Sequence, residues 1–180
     1  MGCGNGRLGT ALDTAGVAWV GLDRSRALLA DLRGPGLRGD AARLPFQGAS
    51  FGGVAAVYML YHLADPMAAI REAHRVLRPG GLFVAVAPSR ATDPELAPFL
   101  PPAPLDTFDA ELAPRMLAAL FSNVTVDAWD APMTRLPDPS AVEAYLRGRM
   151  HHPEVARSVA RRVEIPISIT KRGAVVWGRK

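Results

Sequence analysis

Three glycines in five residues, Gly2-Cys3-Gly4-Asn5-Gly6, run directly into Arg7 and the apolar positions Leu8 and Leu12. Glycine reaches positive φ and carries no Cβ. Such a turn therefore lets a ligand lie against the main chain, while the N–H groups that open the next helix can face an anionic group. That helix is predicted from Arg7 to about Ala15, with Leu8, Ala11 and Leu12 inward and Gly16 as its stop. Short glycine-rich runs also occur as plain turns, so the meaning of this one depends on the residues placed at fixed distances beyond it.

Beyond Gly16 the chain alternates between strand-like and helix-like segments. Val17-Ala18-Trp19-Val20-Gly21-Leu22 is a near-continuous apolar run of the kind found in strands covered on both faces, and Asp23 closes it. Ser25 is placed to cap a second helix through Leu32, ended by Gly34-Pro35-Gly36. Leu37-Arg38-Gly39 then leads into Asp40-Ala41 and Leu44-Pro45-Phe46, and Phe51 to Met59 reads as another buried strand. Asp65 as N-cap, Pro66 in the first turn, and Met67, Ile70, His74 and Leu77 on one face predict a helix. Pro79-Gly80-Gly81 should stop it and turn the chain into the strand Leu82-Phe83-Val84-Ala85-Val86. Strand and helix in alternation predict α/β architecture: a Rossmann-like, doubly wound, mostly parallel sheet with right-handed crossovers.

The second half is less regular. Pro88 to Leu105 holds six prolines, and residues 89–108 read as a loop longer than most connections, the expected substrate lid. Helices are predicted over Asp109 to Phe121, from Asp138-Pro139 through Arg147, and from Pro153 to about Arg162. Val124-Thr125-Val126 is strand-like, and Ile165 to Trp177 reads as two strand runs around Lys171-Arg172-Gly173, a hairpin candidate that would supply a closing antiparallel strand.

At 180 residues, with 49% hydrophobic and 21% charged residues, one globular domain is expected. Residues 1–88 would form a cofactor-binding half, and residues 109–180 the last helices and closing strands. The net charge of +4 collects near the end, where Arg147, Arg149, Arg157, Arg161, Arg162, Lys171, Arg172, Arg179 and Lys180 face only Glu154 and Glu164. No aromatics interleave with these charges as a stacking platform for nucleic acid would need, so they read as a solvated surface. The single cysteine, Cys3, excludes an intrachain disulfide framework and fits a reducing compartment. No apolar run reaches the ~18 residues of a membrane span. A cytoplasmic protein is expected. His151 and His152 are adjacent and cannot share a helix face as i, i+4 ligands do, so no metal site is read there.

Two nucleotide readings compete at the glycine turn. Gly4, Gly6 and Gly9 fit G-x-G-x-x-G, with Asp23 after the next strand, which formally allows NAD. Starting one glycine earlier, Gly2-Cys3-Gly4-Asn5-Gly6 resembles motif I of the class I S-adenosylmethionine-dependent methyltransferases. Arg75-Val76-Leu77-Arg78-Pro79-Gly80-Gly81 resembles the R-V-L-[RK]-P-G-G signature of their methyltransferase-11-like, small-molecule group, a string for which a nicotinamide enzyme has no use. The resemblance is specific from Gly2 to about Pro88 and general beyond Asp109.

This resemblance implies a cofactor, S-adenosyl-L-methionine, and its contacts. Gly2, Cys3, Gly4 and Gly6 would border its methionine and ribose portion. Asp23, with Arg24 after it, would take both ribose hydroxyls. Asp40 would accept from the adenine amino group, with the Ala41 N–H toward a ring nitrogen, and Val57 and Tyr58 would lie beside the methionine end. Two departures stand out. Gly52 follows Phe51 where the family usually has Asp. The family's central first strand and its acidic end would precede Met1, which suggests a true start upstream of the recorded one.

The implied reaction is methyl transfer to an O, N or C atom of a small-molecule acceptor, with RNA the weaker candidate because no RNA-binding module or Asn-Pro-Pro-Tyr motif is found. Alignment of acceptor and methyl can carry it. Where a proton must be lost, His62 is the candidate base, and Tyr61 and Arg90 are candidate substrate contacts. The alternative is a truncated, non-catalytic remnant or binding protein.

Overall fold

The computed structural model describes residues 1–101 and 107–180. Positions 102–106, inside the proline-rich stretch read as a lid, lie outside the described residues. In chain order the elements are α1 (Arg7–Thr14), β1 (Gly21–Asp23), α2 (Arg26–Ala30), β2 (Gly36–Arg38), β3 (Phe51–Val57), α3 (Pro66–Val76) and β4 (Leu77–Pro88). They continue with α4 (Ala113–Ala118), β5 (Ser122–Leu136), α5 (Pro139–Gly148), α6 (Pro153–Ala160) and β6 (Ile167–Arg179).

The helix starts reflect their caps. Ser25 Oγ accepts from Leu28 N, Asp65 Oδ1 from Ala68 N at 3.1 Å, and Asp138 Oδ1 from Ala141 N at 2.8 Å. The last two are each followed by a proline whose missing N–H costs nothing at that position. Asp65→Ala is expected to cost about 1 kcal/mol, read as a lower urea midpoint at unchanged slope.

The α/β class holds, with a mixed sheet in two pieces. β1 and β2 pair in parallel from Gly21↔Gly36 to Asp23↔Arg38, and four strands stand in the order β3-β4-β6-β5. β3 and β4 are parallel, from Gly53↔Leu82 to Val57↔Val86. Ser122 Oγ donates to Arg179 O and Arg172 Nε to Asp130, so β5 and β6 run in opposite directions. Between the two pieces runs the backbone of Met1 to Cys3. The Met1 ammonium donates to Ala55 O on β3 at 2.7 Å, and Cys3 N donates to Leu22 O on β1 at 3.1 Å.

Five sequence expectations are corrected. The apolar run Val17–Leu22 is strand only from Gly21, and Val17 is 48% exposed. β2 gives β1 just three partners, and apolar character alone does not hold an extended run without a ladder. Pro79-Gly80-Gly81 does not stop α3, which ends at Val76. These residues lie inside β4 as an irregularity, where the register steps from Phe51↔Leu77 to Gly53↔Leu82. Gly80, at φ +75°, donates its N–H to Lys180 O, and Lys180 N donates to Gly81 O, so the glycines pair with the end of the chain. The helix predicted over Asp109–Phe121 is regular only from Ala113 to Ala118, because Pro114 can stand only in its first turn, while Asp109 Oδ1 takes up Leu112 N. The short strand at Val124–Val126 is part of a fifteen-residue β5. Finally, Lys171-Arg172-Gly173 is no hairpin turn but part of continuous β6, its side chains taken up by Asp93 and Asp130.

By internal contacts the chain divides into two compact units. One comprises Met1–Ala87, Asp106–Asp127 and Ala174–Lys180. Its core includes Ile70, Leu77, Phe83, Phe108 and Leu117, with the Phe83 and Phe121 rings stacked at 5.1 Å. The other comprises Pro88–Leu105 and Ala128–Gly173, with a core around Leu96, Val142, Leu146, Val159 and Ile169. In this unit the described part of the proline-rich stretch is anchored. Leu96 is fully buried, Ser89 N donates to Arg172 O, and Asp93 N donates to Thr170 O. Among the described residues no helix is long and apolar enough to cross a membrane.

Candidate functional site

The carboxyl ends of β1, β2 and β3 gather most of the residues singled out from the sequence. Gly2, Gly4 and Gly6 all have positive φ, at +62°, +54° and +88°. At Gly2 a Cβ would stand 2.6 Å from Met59 Cβ, so packing and backbone both demand glycine there; at Gly6 the backbone does, and a Cβ would also have to displace the tip of Leu32, 2.3 Å away. At Gly4 nothing lies within 4 Å of that position. The turn is thus tight on its protein side and open over Gly4. Gly6 then precedes α1 in a left-handed conformation, with no side-chain cap.

Asp23, half-buried at the end of β1, ties this turn to its neighbours. Gly4 N donates to Oδ2 at 2.7 Å, Ser25 N donates to Oδ1 at 2.8 Å, and Gly39 N donates to the Asp23 carbonyl at 3.0 Å. Each carboxylate oxygen has two lone pairs, so each bond leaves one for a further donor, and the two oxygens together match a vicinal diol. After β2, Asp40 is exposed and folds a turn on itself: Ala42 N donates to its Oδ1 at 2.9 Å and Arg43 N to its carbonyl at 3.0 Å, while Ala41 is buried.

Val57 ends β3. Tyr58 comes next at φ +51°, 47% exposed, its N–H donated to Val86 O. Positive φ costs a tyrosine energy that the surrounding structure must hold, and such strain concentrates at functional sites. Met59 returns inward against Gly2, which brings the end of β3 beside the glycine turn.

Cys3 packs against Gly21 and donates weakly to Gly4 O. Burial, reinforced by the Asp23 charge, pushes its thiol up from the usual value, so it is a packing residue in its protonated form rather than a nucleophile. Arg24 is exposed, and its carbonyl accepts from Arg38 Nε. His62 is exposed on the 3-10 turn Leu60–His62, its ring centroid 4.4 Å from that of Tyr61. Arg90 belongs to the second unit, and His152 Nδ1 accepts from Glu154 N at the start of α6.

Reading the sequence missed Met59, whose packing against Gly2 appears only in the folded chain. Glu72 was also missed, three residues before Arg75 of the signature string. Glu72 Oε2 accepts from Leu44 N at 2.7 Å, and Arg75 bonds both Glu72 and the carbonyls of Leu44 and Phe46.

Comparison with known proteins is consistent with this geometry. Residues 1–85 match the methyltransferase domain family. The demethylmenaquinone methyltransferase of Mycolicibacterium paratuberculosis is 32% identical over 149 residues, covering 78% of this chain and 63% of the relative. That of Staphylococcus epidermidis is 41% identical over 58 residues, covering 32% of this chain and 24% of the relative. The chain thus spans between about a quarter and two thirds of the length of these relatives. The crystal structure of the Bacillus YcgJ protein superposes with a TM-score of 0.75 at 19% identity, over 99% of this chain and 89% of that one. Residues 1–85 carry the methyltransferase-domain match, and the fold is shared with the Bacillus YcgJ protein over 99% of the chain; together these support a class I S-adenosylmethionine-dependent methyltransferase.

Proposed function

We propose that the chain binds S-adenosyl-L-methionine at the carboxyl ends of β1, β2 and β3 and directs its methyl group to a small-molecule acceptor. The observation that carries this reading is the Asp23 carboxylate, held by Gly4 N and Ser25 N with a lone pair left on each oxygen, beside an opening over Gly4. The residues fit the cofactor: Asp23 takes the ribose diol, the Gly2–Gly6 backbone borders the methionine and ribose portion, and Asp40 with the Ala41 N–H takes the adenine edge. Arg24 stands at the rim of the ribose site. Val57 and Tyr58 border the methionine end.

When bound, the cofactor supplies an electrophilic sulfonium methyl. The chain's own contribution is orientation. A fixed glycine turn and a fixed carboxylate leave the ligand few ways to lie, and alignment of two reactants supplies much of what a methyl transfer requires. His62, exposed beside Tyr61, takes the proton from acceptors that must lose one.

Relatives named demethylmenaquinone methyltransferase make a reduced quinone ring the first acceptor to try. The chain is incubated with methyl-labelled S-adenosylmethionine and demethylmenaquinol, and products are followed by mass spectrometry. A labelled quinone supports the acceptor; cofactor binding without that product sends the search to other small molecules. A second reading, a non-catalytic binding protein, draws on the sheet's division between β1 and β3. Absence of turnover with every acceptor, despite cofactor binding, would favour it.

A further inference from the structure

Residues 39–50, between β2 and β3, contain no helix or strand, yet they carry Asp40 and Ala41. Their shape is imposed from outside. Leu44 is gripped at both ends of its backbone: its N–H donates to Glu72 Oε2 at 2.7 Å, and its carbonyl accepts from Arg75 Nη2 at 2.9 Å. Arg75 Nη1 donates to Phe46 O at 2.9 Å. The two side chains are themselves locked together, with Arg75 Nε to Glu72 Oε1 at 2.7 Å and Nη2 to Oε2 at 2.8 Å.

This is a planar fork used to its capacity. Three guanidinium nitrogens serve two carboxylate oxygens and two carbonyls, an arrangement that a lysine ammonium does not reproduce. The Arg75 bond also holds the Glu72 carboxyl below the usual carboxylate range, so the pair is charged at neutral pH. Downstream, Ala49 N and Ser50 N donate to the carbonyls of Arg75 and Val76, so the loop is fastened again to the end of α3. Upstream, the turn closed by Arg43 N on Asp40 O ends one residue before the gripped Leu44. Any slack at Leu44 is passed straight to Asp40 and Ala41.

We propose that Glu72 and Arg75 are positioning residues for base recognition: they clasp the loop so that the Asp40 carboxylate and the Ala41 N–H meet the adenine edge of the cofactor. This rests on the proposed cofactor site and adds to it the part of the chain that sets selectivity for the base. Neither side chain touches the ligand; both act through the Leu44 and Phe46 peptides. It also gives the arginine that opens the R-V-L-R-P-G-G string a task in the site. An ordinary surface staple would change stability and leave base selectivity untouched.

The test compares calorimetric affinities for S-adenosylhomocysteine and S-inosylhomocysteine, in which an oxygen replaces the 6-amino group, well below the melting midpoint. Wild type should prefer the adenine ligand by at least ~10-fold, because the oxygen offers Asp40 no hydrogen to accept. In Arg75→Ala the preference should fall to within about threefold, and Asp40→Asn should show the same collapse. Should Arg75→Ala fail to fold, Glu72→Gln, which keeps the shape and weakens the pair, is read in the same way. A variant that keeps the wild-type preference overturns the proposal, whatever its melting temperature. Wild type that binds both ligands equally also overturns it while leaving the cofactor reading intact. Wild type that binds neither overturns both.

Discussion

Asp23→Ala is expected to weaken S-adenosylmethionine binding by roughly a hundredfold. The carboxylate would lose two charge-assisted bonds to the ribose hydroxyls, each worth about 1.5–3 kcal/mol in a favourable setting, of which water returns part. A net loss of about 3 kcal/mol corresponds to that factor. The change also strips Gly4 N and Ser25 N of their acceptor, so the glycine turn loses the bond that fixes it to β1. Asp23→Asn keeps one acceptor oxygen and should fall between. Calorimetry on all three proteins at one temperature checks the order, with a thermal melt of each separating affinity from folding. Unchanged affinity in the alanine variant would move the ribose away from β1.

The second large effect is expected from Asp93→Ala, in the other unit. Asp93 is buried at φ +59°, and its carboxylate accepts from Lys171 Nζ at 2.7 Å and Tyr145 OH at 2.7 Å and forms an ion pair with Arg149 Nε at 3.1 Å. Lys171 also lies 4.4 Å from the centroid of the Tyr145 ring. Removing the carboxylate leaves a half-buried ammonium and a phenol without their partner, and breaking such a buried ion pair from one side costs about 3–5 kcal/mol. Urea unfolding should show a loss of that size. Asp93→Asn should lose less, because asparagine tolerates the left-handed backbone and still accepts from Tyr145. A loss under about 1 kcal/mol in the alanine variant would mean that the network is solvated in solution.

Much of the fold was legible because it rests on local rules. Asp65-Pro66 and Asp138-Pro139 announce their helices by capping chemistry that needs no tertiary partner, and the structure places both starts there. The end of β1 at Asp23 was legible for a related reason: a carboxylate that closes an apolar run marks where a strand stops. What failed depends on partners distant in sequence. Val17 to Val20 look like strand, but strand needs a ladder, and β1 is paired only from Gly21. Gly80 and Gly81 look like a helix stop until Lys180, about a hundred residues on, supplies the bonds that keep them in β4. Lys171-Arg172-Gly173 has hairpin composition, yet Asp93 and Asp130 hold both side chains along a single strand.

The site divides along the same line. In the candidate site the glycines and Asp23 are proposed from type and spacing alone, because each would act through its own backbone or carboxylate. Glu72 and Arg75 act on peptides 28 to 31 residues away, and only the folded chain shows what they grip. Tyr58 was legible as a position, while its strained backbone was not.

The most direct measurement is a calorimetric titration of S-adenosylmethionine into the 180-residue chain, with NAD titrated into a second sample. Saturable one-site binding of S-adenosylmethionine, displaced by S-adenosylhomocysteine, with no heat from NAD, is the expected result. Binding of NAD, or of neither compound, would contradict the assignment of this site to a methyl-donor cofactor.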